Sequence, residues 1–179
     1  MNKLYAGIGS RTTPADVLEC MKVIAIELAA KGFILRSGAA DGADTAFEDG
    51  CQSVYGQSEI WLPWKLFNNH VDTGFYPNDN HYQYAEQLHP KWHKLTRGPR
   101  ALHARNVGQV LGHDINTPVK FVLCWTPDGA ESEAEVTKFT GGTGTAIKCA
   151  ARSDIPIFNL KNHTAIDDFM DFVLKSIIT

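Results

Sequence analysis

The sequence contains no long apolar run, and its few cysteines show no Cys-x-x-Cys spacing. No apolar stretch approaches the ~18 residues that a membrane-spanning helix requires, so we expect no membrane partner. The chain enters a strand pattern at Lys3, which leaves no room for a signal peptide. Three of the four cysteines lie in apolar surroundings, which favours reduced, buried thiols in a cytoplasmic protein; the four are Cys20, Cys51, Cys124 and Cys149.

An excess of positive charge is also missing. The net charge of -3 at pH 7 excludes a surface built throughout for duplex nucleic acid, although a local basic face stays open. His89 and His93 are four residues apart, but Pro90 lies between them and no cysteine or carboxylate completes a zinc spacing. The sequence therefore predicts neither a metal nor a cofactor.

The hydrophobic residues that are present, 44% of 179, are enough to bury one core, so we expect a single domain over residues 1–179. Apolar runs and helical periodicities alternate along the chain, which predicts a Rossmann-like α/β fold with a doubly wound parallel sheet of about five strands. The predicted strands are 3–8, 33–36, 58–62, 119–124 and 155–159. The predicted helices are 14–31, 43–54, 102–111, 143–152 and 165–178.

A long insertion interrupts this alternation after the third strand. Residues 64–100 are rich in Asn, His, Pro and aromatic side chains and show little periodicity. The segment is too long for an ordinary connection, which makes it a candidate lid or binding insertion. A surface excursion with a short helix over 82–88, packed by its own aromatics, is the alternative.

Three glycine-rich turns follow apolar runs, at 7–11, 37–44 and 141–145. A strand, a glycine turn and a helix start, in that order, direct free N–H groups and the positive end of a helix at an anion. Because the carboxyl ends of parallel strands share one sheet edge, we expect the turns to form a phosphate-sized pocket. The predicted ligand contacts are Gly9, Ser10, Arg11, Ser37, Gly38, Gly42, Asn106, Gly141, Gly142, Gly144 and Thr145.

The insertion and the segment after it carry aromatic and basic side chains. Trp61, Trp64, Phe67 and Tyr76 are candidates for stacking on a base, with core packing as the alternative. The locally basic stretch suggests a phosphate-rich ligand or single-stranded nucleic acid, with a solvated face as the alternative; it comprises Lys91, Lys94, Arg97, Arg100 and Arg105.

The turn over 37–44 matches the S-G-x-A-x-G-x-D signature of the DNA-processing protein A (DprA/Smf) domain, through Ser37-Gly38, Ala40, Gly42 and Asp44. The 7–11 turn resembles that family's G-S-R turn, and Arg105-Asn106 its R-N step. The 141–145 turn is similar to the P-G-G-x-G-T-x-x-E motif of the LOG ("lonely guy") phosphoribohydrolases. Both families belong to the SLOG superfamily of nucleotide-handling domains, which the chain resembles over roughly 3–160 outside the insertion.

Two departures from these families bear on function. Lys148 stands where the LOG motif has its glutamate, so a carboxylate that would stabilise a cationic ribosyl transition state is replaced by a cation. Glu133, Glu135 and Asp128 are the alternative sources of the acid. Asp41 stands where the DprA-like signature commonly has arginine, and an acid there opposes nucleic-acid phosphates.

The resemblance and the glycine turns together imply a pocket for a nucleotide or nucleotide-derived ligand. The sequence leaves open whether the protein hydrolyses the N-glycosidic bond of this ligand; Asp44 and Arg105 are the candidate catalytic residues. Asp44 begins a predicted helix, where an acid also favours the helix dipole regardless of function. The alternatives are a DprA-like module that binds single-stranded DNA and a sensor that sequesters a nucleotide signal. We also expect a homo-oligomer.

Overall fold

The computed structural model of the chain describes residues 3–178; Met1, Asn2 and Thr179, which the predicted domain includes, lie outside them. Five strands form one parallel sheet: β1 (Leu4–Gly7), β2 (Ile34–Ser37), β3 (Ser58–Ile60), β4 (Val122–Cys124) and β5 (Ile157–Asn159). The sheet order is β3-β2-β1-β4-β5. The direction of winding therefore reverses between β1 and β4, where doubly wound sheets bind their ligands.

Six α-helices flank the sheet within the described residues. They are α1 (Ala15–Ala30), α2 (Ala43–Ser53), α3 (Asp79–Leu88), α4 (Arg97–Leu111), α5 (Thr143–Arg152) and α6 (Ala165–Ile178). Short 3₁₀ turns lie at Phe67–Asn69, Trp92–Lys94 and Glu133–Glu135. None of these helices is long and apolar enough to cross a membrane.

Alternate residues of the central strands enter two separate cores, one on each face of the sheet. Tyr5 and Leu123 pack with side chains of α1, α2 and α6, whereas Ala6 and Val122 pack with those of α3, α4 and α5. This alternation follows from the two-residue period of a strand. Helices on both faces of an all-parallel sheet confirm the predicted Rossmann-like architecture.

Helices α3 and α4 begin earlier than predicted. Helix α4 starts at Arg97 rather than 102, and Pro99 fits within its first turn because those N–H groups have no helical acceptor. Helix α3 starts at Asp79, where Asn78 and His81 form a reciprocal capping box. Strands β3, β4 and β5 are in turn shorter than the apolar runs that contain them.

The two halves of the predicted insertion differ in structure. Ala85, Leu88 and Trp92 are buried in the core on the α4 side of the sheet. The part before α3 is irregular, and within it Leu66, Asn68 and Asn69 have positive φ angles. The second half therefore supports α4, and only the first half has the character of a surface excursion.

The packing of α4 against Trp61 gives a test of the fold. A Cβ on Gly108 would overlap the buried Trp61 ring, whereas a Cβ on Gly98 of the same helix has nothing within 4 Å. We expect Gly108→Ala to lower the free energy of unfolding by about 1–3 kcal/mol through overpacking. The matched Gly98→Ala variant should be neutral or stabilising by up to about 1 kcal/mol. Urea denaturation measures both, and equal effects would contradict this packing.

Candidate functional site

A cleft of about 460 Å³ opens at the carboxyl edge of the sheet, between the ends of β1, β2 and the start of α5. All three predicted glycine turns reach it, through Gly9–Thr12, Ala40–Asp41 and Gly141–Thr143. The other lining residues are Ile8, Asp44, Phe67, Asn68, Pro99, Leu102, His103, Arg105, Asn106, Gln109, Pro127, Phe139 and Thr140. The cleft lies at the sheet edge that the sequence predicted, and the three turns converge there as expected.

A buried ion pair forms the floor of the cleft. The Nη1 group of Arg105 donates to Oδ2 of Asp44 at 3.2 Å and also to the carbonyl of Gly38. The Asp44 carboxylate further accepts the N–H of Gly9 at 3.2 Å and the N–H of Ala40 at 3.4 Å. Asp44 is 3% exposed and Arg105 5% exposed. The carboxylate therefore occupies the anion position that these two glycine turns create.

Burial has opposite effects on the two partners. It is the largest influence on Asp44 and raises the pKa of that carboxyl, while Arg105 and the two backbone N–H groups oppose the increase. Burial also lowers the pKa of Arg105, and Asp44 opposes the decrease. Because arginine keeps its proton in proteins, the pair is a neutralised unit. Arg105 consequently brings little free positive charge to a ligand.

Three predicted contacts in the turn before α2 do not line the cleft: Ser37, Gly38 and Gly42. The Ser37 hydroxyl donates to the carbonyl of Gly7 at 2.7 Å. A Cβ on Gly38 would overlap Arg105. Gly42 has a φ of +85°, and a Cβ there would overlap the backbone of Ser10 and Arg11. These residues shape the floor of the cleft. They are small because the chain itself packs closely here, and not because a phosphate approaches the backbone, as the sequence had suggested.

The start of α5 leaves backbone donors free. Gly142 is the N-cap residue and provides no side-chain cap. The N–H groups of Gly144 and Thr145 donate to the carbonyls of Gly141 and Gly142, at 3.2 and 3.3 Å, so the free donors of this turn are the N–H groups of Gly142 and Thr143. Asn106 donates to the carbonyl of Gly142 at 2.8 Å and fixes this turn against α4. Gly141 and Gly142 are exposed. Gly144 and Thr145 do not line the cleft; Gly144 faces Val136 and Thr140.

His103 is a cleft residue that the sequence analysis missed. Its Nδ1 atom lies 2.7 Å from the Thr145 hydroxyl, and its ring centroid lies 4.5 Å from that of His89. Burial, and then the neighbouring His89 and Arg105, lower the pKa of His103 to about 4. The imidazole is therefore neutral at pH 7.

Gln109 was missed as well, although the polar residues of α4 gave a signal. His103, Arg105, Asn106 and Gln109 interrupt the apolar residues of 101–111 in α4, and positions three or four apart share a helical face. Asn106 and Gln109 are both largely buried, so this polar stripe faces the cleft rather than solvent. The glycine turns alone give no sign of such a stripe on a buried helix.

The alternative acids for N-glycosidic chemistry do not line the cleft. Glu133 pairs with Arg152 at 2.7 Å, and Glu135 caps its own 3₁₀ turn. Asp128 accepts the hydroxyls of Thr137 and Thr140 at 2.6 Å each. Lys148 donates to the carbonyl of Leu88 at 3.2 Å. Among the described residues, the carboxylates that line the cleft are those of Asp41 and Asp44.

The predicted basic and aromatic sets are only partly next to the cleft. Arg105 is buried, so it does not belong to the surface stretch that Lys91, Lys94 and Arg97 form. Of the aromatic candidates, Phe67 lines the cleft, whereas Trp61 is fully buried. Trp64 lies against Phe67, and Tyr76 donates to Asp72 at 2.9 Å. Phe139, which is 64% exposed, also lines the cleft and was not predicted.

No family model matches the chain, and no curated protein matches it. Among solved structures, it is similar to DNA processing protein A from Helicobacter pylori, a structure described for its single-stranded DNA binding mode. The TM-score is 0.54 at 15% sequence identity, over 95% of this chain and 73% of that one. This likeness agrees with the Rossmann-like fold.

His103 gives a pH test of the site. Its folded pKa of about 4 lies below the ordinary 6.5, so the unfolded chain binds more protons between these values. His103 therefore lowers stability progressively as the pH falls from 6.5 to 4. We expect His103→Gln to lose less unfolding free energy than the wild type across this window in urea titrations. A His163→Gln control, at an exposed site, should follow the wild type; identical curves for all three proteins would contradict the burial of His103.

Proposed function

We propose that the cleft binds a nucleotide or a nucleotide-derived ligand. The observation that carries the proposal is the meeting of the free α5 N-terminus, the exposed Arg11 and two aromatic side chains in one cleft. Its volume of about 460 Å³ falls in the range of small-molecule sites. A nucleotide has the matching chemistry, an anionic phosphate at one end and an aromatic base at the other.

The phosphate is assigned to the start of α5. The turn before α2 already holds the Asp44 carboxylate, whereas the N–H groups at Gly142 and Thr143 have no helical acceptor. A helix N-terminus favours an anion through these donors and through the helix dipole. Arg11 lines the same cleft and is exposed, so its guanidinium is free to neutralise the phosphate.

The base is assigned to the aromatic part of the cleft. Phe67 and Phe139 lie on different loops and both line the cavity. Nucleobases stack on such rings with little sequence preference. Pro99 and Leu102 of α4 extend the apolar surface next to the phosphate site.

Turnover by N-glycosidic cleavage would have to use Asp41 or Asp44, the cleft carboxylates of the described chain. Asp44 already accepts three hydrogen bonds in its ion pair and turns. Asp41 is exposed, with no resolved contact that would hold it at a glycosidic carbon. These features favour binding without turnover, as in a nucleotide sensor. Release of free base on incubation with nucleotides would contradict that preference.

A side chain at Gly142 tests the phosphate assignment. A Cβ there has nothing within 4 Å and the φ of −62° suits any residue, so Gly142→Val should fold normally. The side chain would occupy the space in front of the α5 N–H groups and block the phosphate. We expect nucleotide-induced thermal stabilisation to disappear. Gly38→Val is a poor test of the same point, because its side chain would displace Arg105.

A matched pair of arginines tests the counter-charge. Arg11→Ala should weaken nucleotide binding by about 1–3 kcal/mol, the scale of a charge-assisted hydrogen bond. Arg97→Ala removes an equally exposed charge that does not line the cleft, and it should bind like the wild type. Calorimetric titration measures both. Equal losses would mean that only the overall charge matters and that Arg11 makes no local contact.

Single-stranded DNA binding is the second candidate, favoured by the fold shared with the Helicobacter pylori protein. Three exposed basic residues lie at the start of α4: Lys91 and Lys94 precede the helix, and Arg97 is its first residue. Pro99 of the same helix lines the cleft. We expect weak binding that loses most of its affinity between ~50 and ~200 mM salt, as a few phosphate contacts imply. Tight binding that persists at the higher salt would make DNA the primary ligand.

Competition separates one shared site from two. If DNA enters the cleft, a saturating mononucleotide should displace a fluorescent oligonucleotide, and Gly142→Val should weaken both ligands. If the oligonucleotide stays bound and the variant retains it, the DNA lies on the basic surface outside the cleft. Fluorescence anisotropy follows both outcomes.

A further inference from the structure

His103 has one ring nitrogen left for a ligand. The residue lines the cleft and is half-buried. Its Nδ1 atom is occupied by the hydroxyl of Thr145, at 2.7 Å. Its Nε2 atom has no hydrogen-bond partner within the described residues, yet it is not buried. Nε2 is therefore the nitrogen that a molecule in the cleft can reach.

The buried hydroxyl of Thr145 decides which nitrogen of His103 carries the proton. Thr145 is 4% exposed, and within the described part of the chain its hydroxyl has Nδ1 of His103 as its only hydrogen-bond partner. A buried donor without an acceptor is costly. If Nδ1 carried the proton, it would donate to Thr145 and leave the O–H of Thr145 without an acceptor. The O–H therefore donates to a bare Nδ1, and the ring proton lies on Nε2.

The surroundings of the ring agree with this tautomer. A bare Nδ1 requires the neutral imidazole, because the charged form has a proton on both nitrogens. Burial, and then His89 and Arg105, keep the pKa of His103 low, at about 4. The His89 ring, whose centroid lies 4.5 Å from that of His103, packs against the imidazole and helps to hold it in place. His103 thus offers one oriented N–H donor throughout the neutral pH range.

This donor belongs to the same corner of the cleft as the free end of α5. Thr145, which holds the ring, is the third residue of that helix. One turn along α4 from His103, Asn106 donates to the carbonyl of Gly142 and so contacts the same turn. The N–H groups of Gly142 and Thr143 are the free donors there. A further N–H group beside them is complementary to the oxygens of an anion.

We infer that the Nε2–H group of His103 donates to the phosphate at the start of α5, and that Thr145 positions it for this contact. The inference rests on the proposed nucleotide function and adds a neutral donor to the backbone N–H groups and Arg11. His103 is then a specificity-determining residue, because a phosphorylated nucleoside gains the contact and the bare nucleoside does not. A neutral donor also works above pH 6.5, where an ordinary histidine has lost its positive charge.

Nuclear magnetic resonance of the ¹⁵N-labelled wild type tests the tautomer and the contact. Long-range ¹H–¹⁵N spectra show which ring nitrogen is protonated, and the signals that disappear in a His103 variant identify the residue. We expect a protonated Nε2 and a bare Nδ1 at pH 7. The 5′-monophosphates of adenosine, guanosine and cytidine are then added, each beside its nucleoside. A bound monophosphate should shift the Nε2 signal, and its nucleoside should not. A proton on Nδ1, or an Nε2 signal that a bound monophosphate leaves in place, overturns the inference.

Two substitutions separate the roles of the two ring nitrogens. The amide of asparagine lies near the position of Nδ1 and that of glutamine near Nε2, so His103→Gln keeps a donor for the phosphate and His103→Asn does not. In calorimetric titrations we expect His103→Asn to weaken monophosphate binding at least about tenfold, the scale of a hydrogen bond to a charged group. His103→Gln should stay close to the wild type. His163→Asn, at an exposed site outside the cleft, is the matched control and should bind like the wild type.

Thr145→Val tests the positioning role. The change removes the hydroxyl and keeps the branched shape of the side chain, so Nδ1 loses the donor that keeps it bare. The spectra should show an added population with the proton on Nδ1, and the affinity for the monophosphate should fall. A ring spectrum identical to that of the wild type overturns the role of Thr145.

The outcomes separate this inference from the function beneath it. Equal losses in His103→Asn and His103→Gln, or no loss in His103→Asn, overturn the inference alone, since wild-type binding and its block by Gly142→Val still support the nucleotide site. If none of the three monophosphates binds the wild type, the proposed function fails and the phosphate contact fails with it. Should a His103 variant not fold, as judged by its circular dichroism, the wild-type spectra decide.

Discussion

The ion pair between Asp44 and Arg105 is the interaction on which the arrangement of the cleft depends. Removing two charges from water is costly, and a buried pair persists only when hydrogen bonds satisfy its remaining donors and acceptors. Here the N–H groups of Gly9 and Ala40 and the carbonyl of Gly38 satisfy most of them, while the Nε group of Arg105 has no acceptor among the described residues. Because these groups belong to two glycine turns and Arg105 to α4, the pair joins three elements at one point. Removing one partner would leave an unpaired buried charge, which costs about 3–5 kcal/mol.

The same pair decides where a ligand anion can go. With a carboxylate already in the turn before α2, the positive ends of the two helices at this edge are not equivalent. At the start of α2 the N–H of Ala43 donates to the carbonyl of Ser10, whereas α5 begins with two exposed glycines and the N–H of Thr143 has no such acceptor among the described residues. The cleft is thus asymmetric: its floor is an ion pair without net charge, and the free anion site lies to one side, at the start of α5.

Sequence reasoning predicted the sheet and the convergence of the turns, because both follow from patterns within short segments. The strands show as apolar runs, and the turns follow them at the shared carboxyl edge. It could not predict that Asp44 pairs with Arg105 or that Gly38 makes room for Arg105, since these contacts join residues 61 and 67 positions apart. His103 and Gln109 were missed for a similar reason, because their helix reads as an ordinary amphipathic segment until its polar face is known to line a cavity.

The insertion combines a fixed half with a strained half. Buried Ala85, Leu88 and Trp92 hold α3 and its extension in the core beside α4, which keeps the polar stripe of α4 in place. The earlier residues 66–70 contain three positive φ angles. That geometry persists only where its surroundings impose it. Two polar contacts do so: Asn68 donates to the carbonyl of Ala39 at 2.8 Å, and His70 lies 3.0 Å from Glu48. Since Phe67 directly precedes these contacts in the chain, the base stacking proposed for it is coupled to them, while the floor beneath depends on α4 and the two glycine turns.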